Sequence, residues 1–164
     1  MGEKECEKLL ELFEKEKVEY RLFEHAPVYT SVQASKERGV ELRSGVKAML
    51  LKTSEGKYVL ADIAADRKID FAKMEKLLST KHVRFATRDE VIEVTRCEPG
   101  SVHPIGRLFG VETLLDRSVL ENERVNFNIG MLTKSVQISS KDLVRVLKLG
   151  STAEFSKKGM GKME

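Results

Sequence analysis

Residues 46–51 constrain this sequence most, because they form an apolar run that contains one lysine, Lys47. In an extended strand, alternate side chains point to opposite faces, and both faces of this run are apolar except at Lys47. The pattern predicts a central strand that is covered on both sides. Lys47 then either reaches solvent at the strand end or meets a carboxylate, a phosphate or a water-filled pocket, because an unpaired buried ammonium is costly.

The rest of the chain alternates between helical and strand periodicity. Apolar residues at helical spacing predict one helix that ends near Lys17 and four that begin after Thr30, Asp70, Thr87 and Ser139. Strands are predicted at residues 18–23, 46–51, 58–64, 83–85, 112–115, 125–127 and 135–138. Together they predict an α+β fold, in which helices pack around a mixed, largely antiparallel, barrel-like central sheet. We assign residues 1–150 to one domain and expect the polar tail, residues 151–164, to be disordered.

The composition argues against several classes of protein. No apolar run is long enough to span a bilayer, and the charged N-terminus is not a secretory signal. The two cysteines, Cys6 and Cys97, have no paired spacing and predict neither a disulfide framework nor a zinc site. A formal net charge of +3 permits contact with one end of a nucleic acid. The absence of tryptophan argues against a broad base-stacking surface. We expect a cytoplasmic protein without a metal.

The strongest loop signal lies at residues 98–106, which contain two prolines and two glycines. Such a composition predicts a tight and rigid backbone path. Gly100 can adopt positive φ and lets the backbone approach a ligand closely, because it has no Cβ. A rigid loop with available N–H groups suits a carbonyl oxygen or an oxyanion. The alternative is a structural turn in which His103 is half exposed.

The remaining candidates are single residues, because the sequence has no phosphate-binding glycine loop, no serine-hydrolase elbow and no zinc-protease motif. His103 is a candidate general base near neutral pH. Thr30 is a predicted N-cap whose hydroxyl could also touch a ligand. Asp116 is either a strand-end cap or the countercharge of Lys47. These residues alone leave the function open.

Three segments and the loop together resemble the YbaK/prolyl-tRNA synthetase editing-domain family. The segments are residues 25–30, residues 45–51 and residues 65–70, and residues 100–104 match the GxxxP loop of that family. The resemblance extends from about His25 to Leu147. It implies the fold of that family and a hydrolase that removes the wrong amino acid from a tRNA by cleaving the ester to the 3′-terminal adenosine.

The resemblance also implies roles for individual residues. Lys47 would hold the terminal nucleotide, and water would be the nucleophile. The ester carbonyl and its developing negative charge would be bound by the backbone of Gly100, Ser101, Val102 and His103. The substrate-binding set would be Thr30, Lys47, Ala48, Pro104, Asp116 and Asn128. No cofactor is implied. The implied partners are the tRNA acceptor end and, as a further candidate, an aminoacyl-tRNA synthetase.

Two residues depart from the pattern of the alanine-specific members. Ala48 stands where they have asparagine, and Asn128 stands where they have histidine. We expect a free-standing aminoacyl-tRNA deacylase that edits tRNA-Pro or a related tRNA. Two alternatives remain: a binding module for the acceptor end or an aminoacyl-nucleotide that lost hydrolysis, and a domain that only docks on a synthetase.

Overall fold

A computed structural model describes residues 1–159, which form five α-helices and nine β-strands. The helices are α1 Glu3–Lys15, α2 Ser31–Arg38, α3 Phe71–Leu78, α4 Arg88–Thr95 and α5 Ser140–Leu147. The strands are β1 Arg21–Glu24, β2 Val46–Thr53, β3 Tyr58–Ala64, β4 Arg67–Ile69, β5 Val83–Phe85, β6 Glu112–Leu115, β7 Arg124–Asn128, β8 Lys134–Ser139 and β9 Ser156–Lys158. No helix in this range is both long enough and apolar enough to cross a membrane.

The described strands form three sheets, ordered β5-β2-β3-β6, β1-β8-β7 and β4-β9. Every strand pair is antiparallel except β3 with β6. The predicted α+β fold with largely antiparallel pairing is therefore confirmed. The barrel-like expectation is corrected for residues 1–159, because the short edge strands β5 and β6 each have one neighbour and the four-stranded sheet does not close.

β2 is a central strand, as its sequence predicts. It pairs with β3 along nearly its whole length and with β5 near its end. Met49 and Leu51 pack into one apolar cluster, whereas Leu50 packs into another on the opposite face. Both faces of β2 are thus covered, which explains why its sequence lacks a polar face.

The C-terminal segment is part of the core, which corrects the expectation of a disordered tail for residues 151–159. Phe155 is fully buried in the cluster that holds Met49 and Met74. The β9 strand, Ser156–Lys158, pairs with β4, and the Phe155 carbonyl accepts a hydrogen bond from the backbone N–H of Asp70. One large aromatic residue anchors this polar segment, and the overall composition concealed it. The rest of the predicted tail, residues 160–164, lies outside the described residues.

We expect Phe155→Ala to lower the free energy of unfolding by about 3–5 kcal/mol, because it removes a fully buried ring and leaves a cavity. Urea unfolding followed by circular dichroism measures the change. Lys157→Ala is the matched control, since Lys157 is exposed on β9, two residues after Phe155, and should change stability by no more than about 0.5 kcal/mol. Equal stability of Phe155→Ala and wild type would contradict the docking of this segment.

Candidate active site

A cleft lies where β2 begins, between α2, the loop around Gly100 and the end of β7. It encloses about 580 Å³, including its open mouth. Six residues that the sequence nominated line this cleft: Thr30, Lys47, Ala48, Gly100, Val102 and Asn128. They come from four separate stretches of chain, which only the fold brings together.

Lys47 lies on the wall of the cleft and is 8% exposed, so it does not extend into solvent at the strand end. Its Nζ donates a hydrogen bond of 2.6 Å to the carbonyl oxygen of Arg67 at the start of β4. The alternation along β2 places Lys47 on the same face as Met49 and Leu51, two residues before the apolar cluster begins at Met49. Lys47 therefore lies at the end of β2 that borders the cleft.

The loop around Gly100 is held from outside by hydrogen bonds to its carbonyl groups. Gly100 has φ 90°, and its carbonyl oxygen accepts a 2.7 Å bond from Asn128 Nδ2. The carbonyl of Ser101 accepts from the Gly130 N–H at 2.8 Å. Within residues 1–159, the N–H groups of Gly100, Val102 and His103 have no acceptor. The loop therefore presents donors whose bonding capacity is unused, as an oxyanion-binding loop requires.

Ser101 differs from its neighbours in the loop. Its N–H and its hydroxyl both donate to the Glu98 carbonyl, at 3.0 and 2.7 Å. Its side chain is buried and does not line the cleft. The expectation that the Ser101 backbone binds substrate is therefore corrected: its N–H closes the turn that shapes the loop.

His103 is fully buried and does not line the cleft. Its Nδ1 accepts from the Ile105 N–H at 3.1 Å, and its ring stacks on Phe109 with centroids 4.4 Å apart. Burial lowers the pKa of His103 to about 3, so the ring is neutral at pH 7. Both sequence-based interpretations are wrong for this side chain, because it is neither half exposed nor accessible as a general base. Only its backbone remains a candidate.

Thr30, Pro104 and Asp116 are placed differently from one another. The Thr30 hydroxyl accepts from the Gln33 N–H at 3.1 Å, which makes it the N-cap of α2 at the edge of the cleft. Pro104 follows the loop and does not line the cleft. Asp116 also lies elsewhere and accepts hydrogen bonds from the Phe155 N–H at 2.8 Å and the Ser156 hydroxyl at 2.7 Å.

Asp116 is therefore a structural cap that anchors the C-terminal segment, and its assignment to the substrate site is corrected. Burial disfavours its charge, but hydrogen bonds from Phe155, Ser118 and Ser156 outweigh burial and lower the pKa of this carboxyl. The physical reason for its position is that the backbone at the end of β6 pairs with Ala153, just before Phe155.

The sequence analysis missed Arg38, which lines the cleft from the last turn of α2. Its Nη2 donates to Asn128 Oδ1 at 3.0 Å, and Nε is buried without an acceptor. Burial lowers the pKa of Arg38 to about 10, which leaves it charged at pH 7. One signal was present: Arg38 follows the buried Ala34 by four residues and therefore shares its face of α2.

Asn128 connects three parts of the site. Its Oδ1 accepts from Arg38 and from the Ser135 hydroxyl, while its Nδ2 donates to the Gly100 carbonyl. These partners determine the orientation of the amide, because a rotated amide would face donors with a donor. Asn128 thus holds the loop and the arginine in a constant relative position.

The lining of the cleft includes no histidine, cysteine or aspartate among the described residues. Its one carboxylate, Glu41, pairs with Arg43 at 2.6 Å. Within residues 1–159, no group of three or more His, Cys, Asp or Glu side chains could hold a metal ion. The side chains of Lys47 and Arg38 and the loop N–H groups suit binding and charge stabilisation.

Comparison with known proteins gives one family match and several relatives. The profile of the aminoacyl-tRNA editing domain matches residues 25–146. A multifunctional Ser/Thr-tRNA deacylase of Escherichia coli K12 is 28% identical, over 85% of this chain and 86% of that protein. A proline–tRNA ligase of Bacillus licheniformis is 32% identical over 58% of this chain and 17% of the ligase.

A solved structure shows the same fold. The crystal structure of a candidate trans-editing enzyme for prolyl-tRNA synthetase superposes with a TM-score of 0.80, over 93% of this chain and 97% of that chain. The two sequences are 20% identical, so this likeness concerns the fold alone.

We expect the free energy of unfolding to decrease as the pH falls below about 6.5, because His103 is buried in its neutral form. Its folded-state pKa of about 3 lies below the unfolded value of about 6.5, so protons bind preferentially to the unfolded chain between these pH values. The stability that His103 contributes is complete above about pH 6.5 and is lost at up to about 1.4 kcal/mol per pH unit below it. Urea unfolding from pH 7 to pH 4 measures the slope for wild type and His103→Gln.

The stability difference between the two proteins should shrink as pH falls. The buried Asp62 carboxyl, whose pKa burial raises, titrates with the opposite sign but cancels in this difference. His82→Gln is the control, because the His82 side chain is 71% exposed and meets water in both states. A pH-independent difference between wild type and His103→Gln would contradict the neutral, buried imidazole.

Proposed function

Since the chain belongs to the aminoacyl-tRNA editing domain family, we propose that it is an aminoacyl-tRNA deacylase that hydrolyses the ester of a mischarged tRNA. The observation that carries the proposal is the cleft, in which Lys47 lines the same cavity as the loop whose N–H groups lack acceptors. Action in trans is supported by the E. coli deacylase, because the match covers 86% of that protein rather than a small part of a synthetase.

The proposed reaction is hydrolysis by water. Water attacks the ester carbonyl carbon, and the carbonyl oxygen becomes negatively charged as the tetrahedral intermediate forms. The N–H groups of Gly100 and Val102, the two loop residues that line the cleft, are proposed to donate to this oxygen, where charge develops. The bond to the ribose oxygen then breaks, the ribose oxygen takes a proton, and a free amino acid and an uncharged tRNA leave.

Lys47 is proposed to position the terminal nucleotide beside this loop. Lys47 lines the cleft, is 8% exposed, and donates one hydrogen bond from Nζ to the Arg67 carbonyl. An ammonium held in this way can donate to a ribose hydroxyl or a phosphate oxygen. Thr30, Ala48 and Asn128 complete the proposed pocket, because they line the same cavity.

The substrate proposal is drawn from the relatives. A Ser/Thr-tRNA deacylase and a proline–tRNA ligase both resemble this chain, so seryl and threonyl esters of tRNA-Pro and related tRNAs are the substrates to test first. We propose that the protein acts in the cytoplasm and that a synthetase is a further candidate partner.

One observation favours a second candidate function, a binding module without hydrolysis. The cleft lining lacks a histidine or an unpaired carboxylate that could activate water, and His103 is buried away from it. Such a module would retain the acceptor end or an aminoacyl-nucleotide without cleaving it. A domain that only docks on a synthetase would instead copurify with the synthetase whether or not tRNA is present.

We expect Lys47→Ala to lower deacylation by about 10- to 100-fold, the effect of removing one charge-assisted hydrogen bond. The assay follows the release of amino acid from tRNA-Pro charged with serine, threonine, alanine, cysteine or proline, and from tRNA-Ser and tRNA-Thr. Lys52→Ala is the matched control, because Lys52 lies on the same strand but pairs with Glu90 at 3.0 Å outside the cleft. The melting temperature of Lys47→Ala should stay within about 5 °C of wild type.

Each outcome of the assay points to one function. Hydrolysis of one mischarged species that is lost in Lys47→Ala and retained in Lys52→Ala supports the deacylase. Binding of aminoacyl-tRNA without hydrolysis by wild type would replace it with the binding module. Collapse of the fold in Lys47→Ala would make Lys47 a structural residue.

We expect Gly100→Val to reduce deacylation at least about tenfold, since a residue with a branched Cβ strongly disfavours φ near 90° and would displace the loop. Gly110→Val is the matched control: Gly110 also has positive φ, 70°, but its added Cβ would meet nothing within 4 Å, and it does not line the cleft. Both variants place valine at a positive φ, so equal activity in the two would remove the loop from the proposed mechanism.

A further inference from the structure

We propose that Arg38 binds the phosphate that precedes the terminal nucleoside of the RNA substrate, and that Asn128 is its positioning residue. This inference rests on the proposed function and names the part of the substrate that its site recognises. It concerns two residues whose roles follow from their contacts in this fold.

Arg38 has hydrogen-bonding capacity that its contacts in this structure do not use. A guanidinium has five N–H donors in a planar fork. In this structure Nη2 donates to Asn128 Oδ1 at 3.0 Å, whereas Nε is buried and has no acceptor. A buried donor without an acceptor is costly, so the site is completed by an acceptor that arrives with the ligand.

The charge of Arg38 also favours an anionic ligand. No described carboxylate lies within 4.0 Å of the Arg38 guanidinium: the preceding residue, Glu37, is exposed, and Glu41, the one carboxylate of the cleft lining, is engaged by Arg43 at 2.6 Å. Burial without a countercharge lowers the pKa of Arg38 to about 10, yet the group stays charged at pH 7. A cation in this state attracts an anion more strongly than an exposed arginine does.

The chemistry of the substrate identifies this anion as a phosphate. An aminoacyl ester carries an ammonium, which a guanidinium repels, so the aminoacyl group does not lie against Arg38. The anionic groups of an RNA are its phosphates, and the planar fork of Nε and Nη2 matches two phosphate oxygens. The site therefore orients the acceptor end with a phosphate at Arg38 and the ester towards the loop at Gly100.

The contacts of Arg38 and Asn128 also determine where the two ends of this substrate lie relative to each other. A Cβ on Gly45 would lie 3.9 Å from Arg38 Nη1, so the guanidinium lies over the start of β2, two residues before Lys47. Asn128 joins Arg38 to the Gly100 carbonyl, at 3.0 and 2.7 Å. One amide thus sets the distance between the phosphate-binding fork and the loop that would bind the carbonyl.

The experiment uses two non-hydrolysable probes: 3′-seryl-amino-3′-deoxyadenosine, in which an amide replaces the ester, with and without a 5′-phosphate. Isothermal titration calorimetry measures both dissociation constants. Wild type should bind the phosphorylated probe about tenfold or more tightly, and Arg38→Gln should lose most of this preference. Arg43→Gln is the matched control, because Arg43 is an exposed neighbour outside the cleft and should keep the preference.

Two further measurements keep the outcome unambiguous. Arg38→Lys retains the charge without the planar fork and should keep part of the preference, which covers a failure of Arg38→Gln to fold. In tRNA binding, Arg38→Gln should reduce the slope of log affinity against log salt by about 0.7, the contribution of one phosphate contact on a single strand. A merely structural role would weaken binding without changing that slope.

The inference is overturned if wild type binds both probes equally, if it binds neither, or if Arg38→Gln keeps the phosphate preference. Deacylation does not enter these readouts. A protein that shows the preference but hydrolyses no mischarged tRNA would retain the phosphate site and lose only the proposed enzyme function.

Discussion

The burial of β2 on both faces is the constraint on which the rest of this structure depends. Its pairing with β3 extends over seven residues on each strand and brings two apolar clusters against opposite sides of the same pair. A strand covered in this way cannot shift its register without exposing a core face. The register also determines where Lys47 stands, at the open end of β2 where the cleft begins.

The cleft is built around this strand by backbone and side-chain groups that hydrogen-bond to one another. Asn128 satisfies the Gly100 carbonyl, receives the Arg38 guanidinium and accepts from Ser135. The loop consequently has the carbonyl groups of Gly100 and Ser101 occupied, whereas the N–H groups of Gly100, Val102 and His103 have no acceptor within residues 1–159. Such an arrangement favours an acceptor with negative charge and disfavours a cation at the same place.

The same construction explains why histidine chemistry is not part of the site. The ring of His103 is sealed beneath the loop against Phe109, and burial holds its pKa near 3, so it serves as packing and as an acceptor for the Ile105 N–H. What the cleft offers instead is fixed positive charge and fixed donors. In the proposed mechanism, these groups stabilise developing charge without changing their own protonation, and water is the attacking group.

The sequence by itself determined most of the elements, because strand alternation, helix caps and turn residues act over a few neighbouring positions, but it did not predict the short strands β4 and β9. It predicted β2 and β3, the helix cap at Thr30 and the loop at Gly100, although the strand placed at residues 18–23 begins at Arg21. Only the tertiary structure decided the partners. Phe155 docks a segment whose local composition is polar, Asp116 turns towards that segment, and Arg38 and Asn128 meet across 90 residues of chain. Such contacts depend on how distant segments pack, and no local pattern encodes that distance.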